Sequence, residues 1–123
     1  MAHTLLLVDD EPNILISLEF LMKREGYQVL LARDGVEALE LLAQHRPDLI
    51  LLDVMMPRKN GFEVCQELRA NDAYKSIRIL MLTAKGRDTD VAKGLALGAD
   101  AYMTKPFSTR ELVEKVRSLL LLS

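Results

Sequence analysis

Between Asp48 and Asp53 stand four consecutive aliphatic residues, Leu49, Ile50, Leu51 and Leu52. A run that short, and apolar at every position, reads as a β-strand covered on both faces. Sheets acquire that double cover when helices cross over them between parallel strands. Strand-like runs at Thr4–Val8, Gln28–Ala32, 78–83 and 99–104 fit the same plan.

Helical spacing fills the intervals. Over 11–25, Ile14, Leu15, Leu18, Leu21 and Met22 recur on one face, with Pro12 in the first turn and Gly26 as the stop. Asp34-Gly35 leads into a helix carrying Val36, Leu39, Leu42 and Ala43, closed by Pro47. Residues 57–61 read as a loop, 62–70 as a helix, 71–76 as a polar connection, and 89–97 as a helix stopped by Gly98. Ser108 with Glu111 three residues on predicts a capping box, and Leu112, Val113, Val116, Leu119 and Leu120 form the last helix's buried stripe. Five such alternations predict an α/β fold: a doubly wound five-stranded parallel sheet with helices on both faces. The flavodoxin-like strand order 2-1-3-4-5 fits best, because it sends the second strand to an edge. That strand ends in Ala32-Arg33, the one strand end without an acid, hydroxyl or lysine suited to a common site.

Composition sets the outer limits. A length of 123 residues suits one domain, taken as 1–123, and half of the residues are hydrophobic. A net charge of −2 gives no reason to expect direct nucleic-acid binding or attraction to an anionic membrane. No apolar run approaches the length of a bilayer span, and the first residues lack the features of a signal peptide, so a cytoplasmic location is expected. Cys65 stands alone, in a stripe with Phe62, Val64 and Leu68, and reads as a buried apolar side chain. His3 and His45 have no neighbours at zinc-ligand spacing.

The chemistry lies at the strand ends. Strand one runs into Asp9 and Asp10, strand three into Asp53, strand four into Thr83 and strand five into Lys105. In the predicted order these converge at the carboxyl edge of the sheet, where open α/β sheets bind ligands. Three clustered carboxylates repel one another and call for a cation. All-oxygen ligation suits Mg²⁺, with Mn²⁺ as a substitute. A carboxylate so placed is a nucleophile for phosphoryl transfer, with Lys105 offsetting charge, Thr83 offering a hydroxyl and Ala84 leaving the approach open.

The segments Val8-Asp9-Asp10-Glu11, Leu52-Asp53-Val54-Met55-Met56-Pro57, Gly61, Thr83-Ala84 and Tyr102-Met103-Thr104-Lys105-Pro106-Phe107 closely resemble the receiver domain of two-component response regulators. The resemblance implies that Asp53 accepts a phosphoryl group from a sensor histidine kinase or phosphotransfer protein. It also implies that Asp9, Asp10, Asp53 and the Met55 carbonyl hold Mg²⁺, and that Thr83 and Lys105 bind the phosphoryl group. The Lys105-Pro106 bond matches one that is cis in the family. Thr83, Ala84, Tyr102 and Pro106 match the switch, which remodels the face of the fourth helix, fifth strand and fifth helix for an output domain or effector. Such a domain is a phosphorylated switch that assists its own phosphorylation rather than a turnover enzyme. Met55 and Lys85 occupy positions that influence hydrolysis, and these residue types imply slow dephosphorylation.

Lys93, Asp100, Glu111, Lys115 and Arg117 on that face resemble the mixed-charge patches of regulators whose receivers pair as symmetric homodimers, although Ala101 replaces a common second acid. An ordinary solvated surface accounts for them equally well. Three further functions compete. A flavin carrier would meet repulsion from Asp9-Asp10-Glu11, and a haloacid-dehalogenase-type phosphohydrolase needs an Asp-x-Asp on strand one. A non-phosphorylated pseudo-receiver would be expected to lack some of the matching acids, hydroxyl or lysine, all of which stand here.

Overall fold

The computed structural model describes residues 3–56, 58–84 and 88–121. Pro57 and Lys85, both drawn on above, lie outside them. In chain order the elements are β1 (Thr4–Val8), α1 (Pro12–Arg24), β2 (Gln28–Ala32), α2 (Gly35–Leu42), β3 (Leu49–Asp53), α3 (Gly61–Ala70), a 3₁₀ turn (Asp72–Tyr74), β4 (Arg78–Ala84), α4 (Asp88–Ala96), β5 (Ala101–Lys105) and α5 (Thr109–Leu120). The strands are parallel in the order β2-β1-β3-β4-β5, as the alternation and the misfit end of β2 predict.

Strand alternation divides the core. Leu5, Leu7, Leu49, Leu51, Leu80 and Leu82 face α1 and α5, meeting Leu15, Leu18, Leu112 and Val116. Leu6, Val8, Ile50, Leu52, Ile79 and Met81 face the other way, against Ala38 and Leu42 of α2 and Val64, Cys65 and Leu68 of α3. Every residue of β3 is buried, which accounts for the unbroken apolar run. Cys65 is buried, as its stripe predicts.

Several local expectations shift. The capping box belongs to α3, where the Asn60 side chain accepts from the Glu63 amide and Glu63 accepts from the Asn60 amide. At α5 the Ser108 hydroxyl accepts from the Glu111 amide, which is half of the predicted motif. Helix α2 ends at Leu42, ahead of Pro47, and β5 begins at Ala101, because the Ala99 amide still closes α4 by donating to the Gly94 carbonyl. Gly26 and Gly98 take φ of 93° and 111°, the left-handed conformation expected of helix stops.

Arg69, at the end of α3, joins the sheet's amino edge to the end of α4. Its guanidinium donates to the carbonyls of Gly98 (2.8 Å) and Ile77 (2.9 Å) and to Asp100 Oδ2 (2.8 Å). Asp100 Oδ2 in turn accepts from the Ile79 amide at 2.8 Å. Replacing Arg69 with Ala should cost about 2–3 kcal/mol in urea unfolding, since it strips partners from several poorly solvated acceptors. Arg110→Ala, removing an exposed bond to Glu114, should stay within about 0.5 kcal/mol of the parent.

Candidate functional site

Register places the strand tips at one level. Val8 is opposite Leu52, Asp53 opposite Leu82, and Ala84 opposite Lys105. Asp9 and Asp10 therefore leave β1 beside the end of β3, with Thr83 one residue past the partner of Asp53. Oxygens of Asp9, Asp10 and Asp53 lie within 4.8 Å of one another, the grouping expected from sequence. Asp9 is fully buried and Asp53 nearly so, whereas Asp10 is exposed.

Lys105 closes the group from β5. Its ammonium donates to Asp9 Oδ2 at 3.0 Å and Asp53 Oδ1 at 3.2 Å. Asp9 Oδ1 accepts from the Glu11 amide at 3.0 Å, which holds that carboxylate over the start of α1. Burial and then the Asp9 charge push the Asp53 carboxyl up to about 6, against the opposing pull of Lys105. For Lys105, burial disfavours the charged form, but the Asp9 hydrogen bond and the two carboxylate charges outweigh it and raise its pKa.

Three carboxylates facing one ammonium leave an excess of negative charge, carried by hard oxygen donors, which fits a divalent ion such as Mg²⁺. Thr83 Oγ1 is buried and has no hydrogen-bond partner among the described residues. A buried hydroxyl in that condition fits an oxygen-rich ligand arriving beside it.

The β3–α3 loop depends on Gly61. A Cβ there would stand 2.5 Å from the Asp53 carbonyl oxygen, so only glycine lets the chain return this close to the acceptor residue. The Gly61 amide donates to the Val54 carbonyl at 3.0 Å. Met55 sits in this loop with its side chain exposed, and the Lys105-Pro106 bond is cis. Asp34 and Arg58, which sequence reasoning passed over, also hold this loop. Asp34 is recognisable as a helix cap, but its pairing with Arg58 across 24 positions carries no local signal.

The remaining sequence candidates separate. Ala84 ends β4, exposed, beside Lys105 in register. Tyr102 is 43% exposed, in register with Met81 on the α4 side of the sheet. Glu111 and Lys115 line a groove with Tyr102, Leu95 and Pro106. Asp100 borders that groove, but its carboxylate is engaged by Arg69 and the Ile79 amide. Lys93 lies over the Phe62 ring at 4.7 Å, and Arg117 reaches Glu25 at 3.4 Å.

A buried aspartate bridged by lysine at the carboxyl edge of a 2-1-3-4-5 sheet defines a class of phosphorylation-type signalling domain. The chain belongs to the response regulator receiver domain family, whose model matches residues 5–117. It is similar to a response regulator from Chloroflexus aurantiacus, with 37% identity and a TM-score of 0.94 over 98% of this chain and 99% of that one. The chemotaxis response regulator CheY4 of Vibrio cholerae is 34% identical, with a TM-score of 0.91 over 97% of this chain and 99% of the other. The receiver domain of a signal transduction histidine kinase from Syntrophus aciditrophicus is 35% identical, with a TM-score of 0.91 over 97% and 90%. Among the described residues no helix is long and apolar enough to cross a membrane.

The raised Asp53 pKa has a thermodynamic counterpart. Between the ordinary carboxylate value of 3.8 and about 6 the folded state holds a proton that the unfolded state releases. That stabilising contribution is complete below 3.8 and is lost as pH rises through about 6. Asp53→Asn should therefore raise stability at pH 8 by about 1–3 kcal/mol and confer little at pH 4. Urea unfolding at both values, with divalent ions chelated, checks the sign.

Proposed function

We propose that this chain is a phosphorylation-activated switch in which Asp53 accepts a phosphoryl group from a sensor histidine kinase or phosphotransfer protein. The observation carrying this reading is the Lys105 ammonium held between Asp9 and Asp53 beside the unpartnered Thr83 hydroxyl. Asp9, Asp10 and Asp53, with the Met55 carbonyl, would hold Mg²⁺ or Mn²⁺, whose charge offsets that of the transferring group. The ionised Asp53 carboxylate attacks phosphorus, the bond to the donor breaks, and the donor keeps the electron pair. Lys105 then neutralises a phosphoryl oxygen, and Thr83 donates its hydroxyl to another.

The phosphodonor approaches across an apolar groove formed by Ile14 and Leu18 of α1 with Ala84, Lys105, Pro106 and Phe107. Exposed Ile16 and Phe20 extend that surface along α1. The role is that of an acceptor within 1–123 that assists its own phosphorylation, in the cytoplasm, with no turnover of an external substrate. Incubation with acetyl phosphate and Mg²⁺ should add one phosphoryl mass to the intact protein and none to Asp53→Asn. An unmodified wild type would refute the assignment. The increment should persist for minutes, because the Met55 thioether beside the site cannot orient a hydrolytic water.

The signal passes through Thr83. Drawing its hydroxyl to the phosphoryl group shifts Ala84 and leaves space towards which Tyr102 turns, with Pro106 flanking it. The remodelled face of α4, β5 and α5 receives the output domain or effector. A homodimer through it has Glu111 and Lys115 to pair across a two-fold axis, because Lys93, Asp100 and Arg117 are engaged within the chain. Thr83→Ala should still take the label while the β5 and α4 amides lose their response to beryllofluoride in NMR spectra. Unchanged amide shifts in that variant would exclude the hydroxyl as the link.

A further inference from the structure

Two adjacent residues at the start of α2, its cap Asp34 and its first residue Gly35, grip two adjacent residues of the loop that follows Asp53. Arg58 Nε and Nη2 donate to Asp34 Oδ2 at 2.9 and 2.7 Å. The Gly35 amide donates to the Lys59 carbonyl at 3.1 Å, so close that a side chain at Gly35 would collide with that carbonyl. Asp34 serves both duties at once, because its other oxygen, Oδ1, caps α2 by accepting from the Glu37 amide at 2.9 Å. Those bonds, led by the Glu37 amide, hold its carboxyl below the usual range, so it is ionised opposite Arg58.

The grip holds an unfavourable backbone. Arg58 has φ of 65°, a left-handed conformation that non-glycine residues avoid. Such a conformation persists where its surroundings impose it, commonly at functional loops. On the other side the same loop is tied by the Val54 amide to Leu82 and by the Gly61 amide to Val54. Met55 and Met56 lie between the two sets of ties, and Met56 packs on the core cluster to which α2 and α3 contribute. The backbone at Met55 is therefore fixed from both ends.

We infer that Arg58 is a positioning residue for divalent-cation binding: its clasp on Asp34 presets the loop so that the Met55 carbonyl meets the ion alongside Asp9, Asp10 and Asp53. This inference rests on the metal site proposed above. It makes a prediction opposite in sign to plain electrostatics. Removing a cation near an acidic cluster should tighten Mg²⁺ binding if charge alone mattered. Removing a clasp that preorganises a ligand should weaken it.

Calorimetric titration of the protein with MgCl₂ at fixed ionic strength decides between them. Arg58→Gln should weaken Mg²⁺ binding by about three- to tenfold, short of the loss of about 10–100-fold typical when a ligand's direct hydrogen-bond partner is removed. Asp34→Asn keeps a capping oxygen, loses the ion pair and should weaken binding comparably. The double variant should be no worse than the weaker single, because both remove one clasp. Arg58→Gly adopts the left-handed backbone freely, so it should keep its urea midpoint while still losing Mg²⁺ affinity. That separates positioning from stability. If Arg58→Gln binds Mg²⁺ as tightly as wild type, or more tightly, the clasp has no such role and the metal site stands. If wild type itself binds no Mg²⁺, the metal site falls and the clasp's role falls with it.

Discussion

A single ammonium group stands between two buried carboxylates at the carboxyl edge of the sheet, and most of the fold serves to make that arrangement tolerable. Lys105 reaches Asp9 and Asp53 from the far side of β4, across 96 and 52 positions of sequence. Desolvated charges are costly unless paired, and here two acids share one base. The compensation lies beneath them, in a sheet whose central strand is buried at every residue and whose two faces are each closed by helices. Hydrophobic burial along the strands thus holds together polar groups that would otherwise separate.

Helix α4 packs against α3 and β4. Its carboxyl end is secured by α3, where the Leu97 carbonyl accepts from Cys65 and the Gly98 carbonyl from Arg69. Along its length Gly94 is the one buried residue, seated against Met81, and Lys93 rests on the Phe62 ring. A helix with so little buried area can shift when the end of β4 moves, without disrupting either core. That is the mechanical property the proposed signalling face requires, and Leu95 of this helix lines one groove with Tyr102.

Much of this was legible in the chain. Uninterrupted apolar runs marked buried strands, glycines at 26 and 98 marked helix ends, and the polar residues after four of the five runs marked the candidate site. These signals are local: each depends on a residue and its neighbours within a few positions. The capping box was assigned to Ser108 and found at Asn60 because the motif needs a reciprocal side-chain bond, and Ser108-x-x-Glu111 supplies the letters with only one direction.

What the sequence determined was the order of elements, the parallel sheet and the identity of the groups at its carboxyl edge, because periodic burial and turn chemistry are encoded residue by residue. What only the tertiary structure decided was which charges are occupied. By sequence Asp100, Lys93 and Arg117 fit a pairing surface or an ordinary solvated one equally well, and the fold turns them to Arg69, Phe62 and Glu25. Arg58 lies in a segment that reads only as a loop, yet it closes on Asp34. A long charged side chain has many rotamers and several possible partners, and only the packed backbone selects among them.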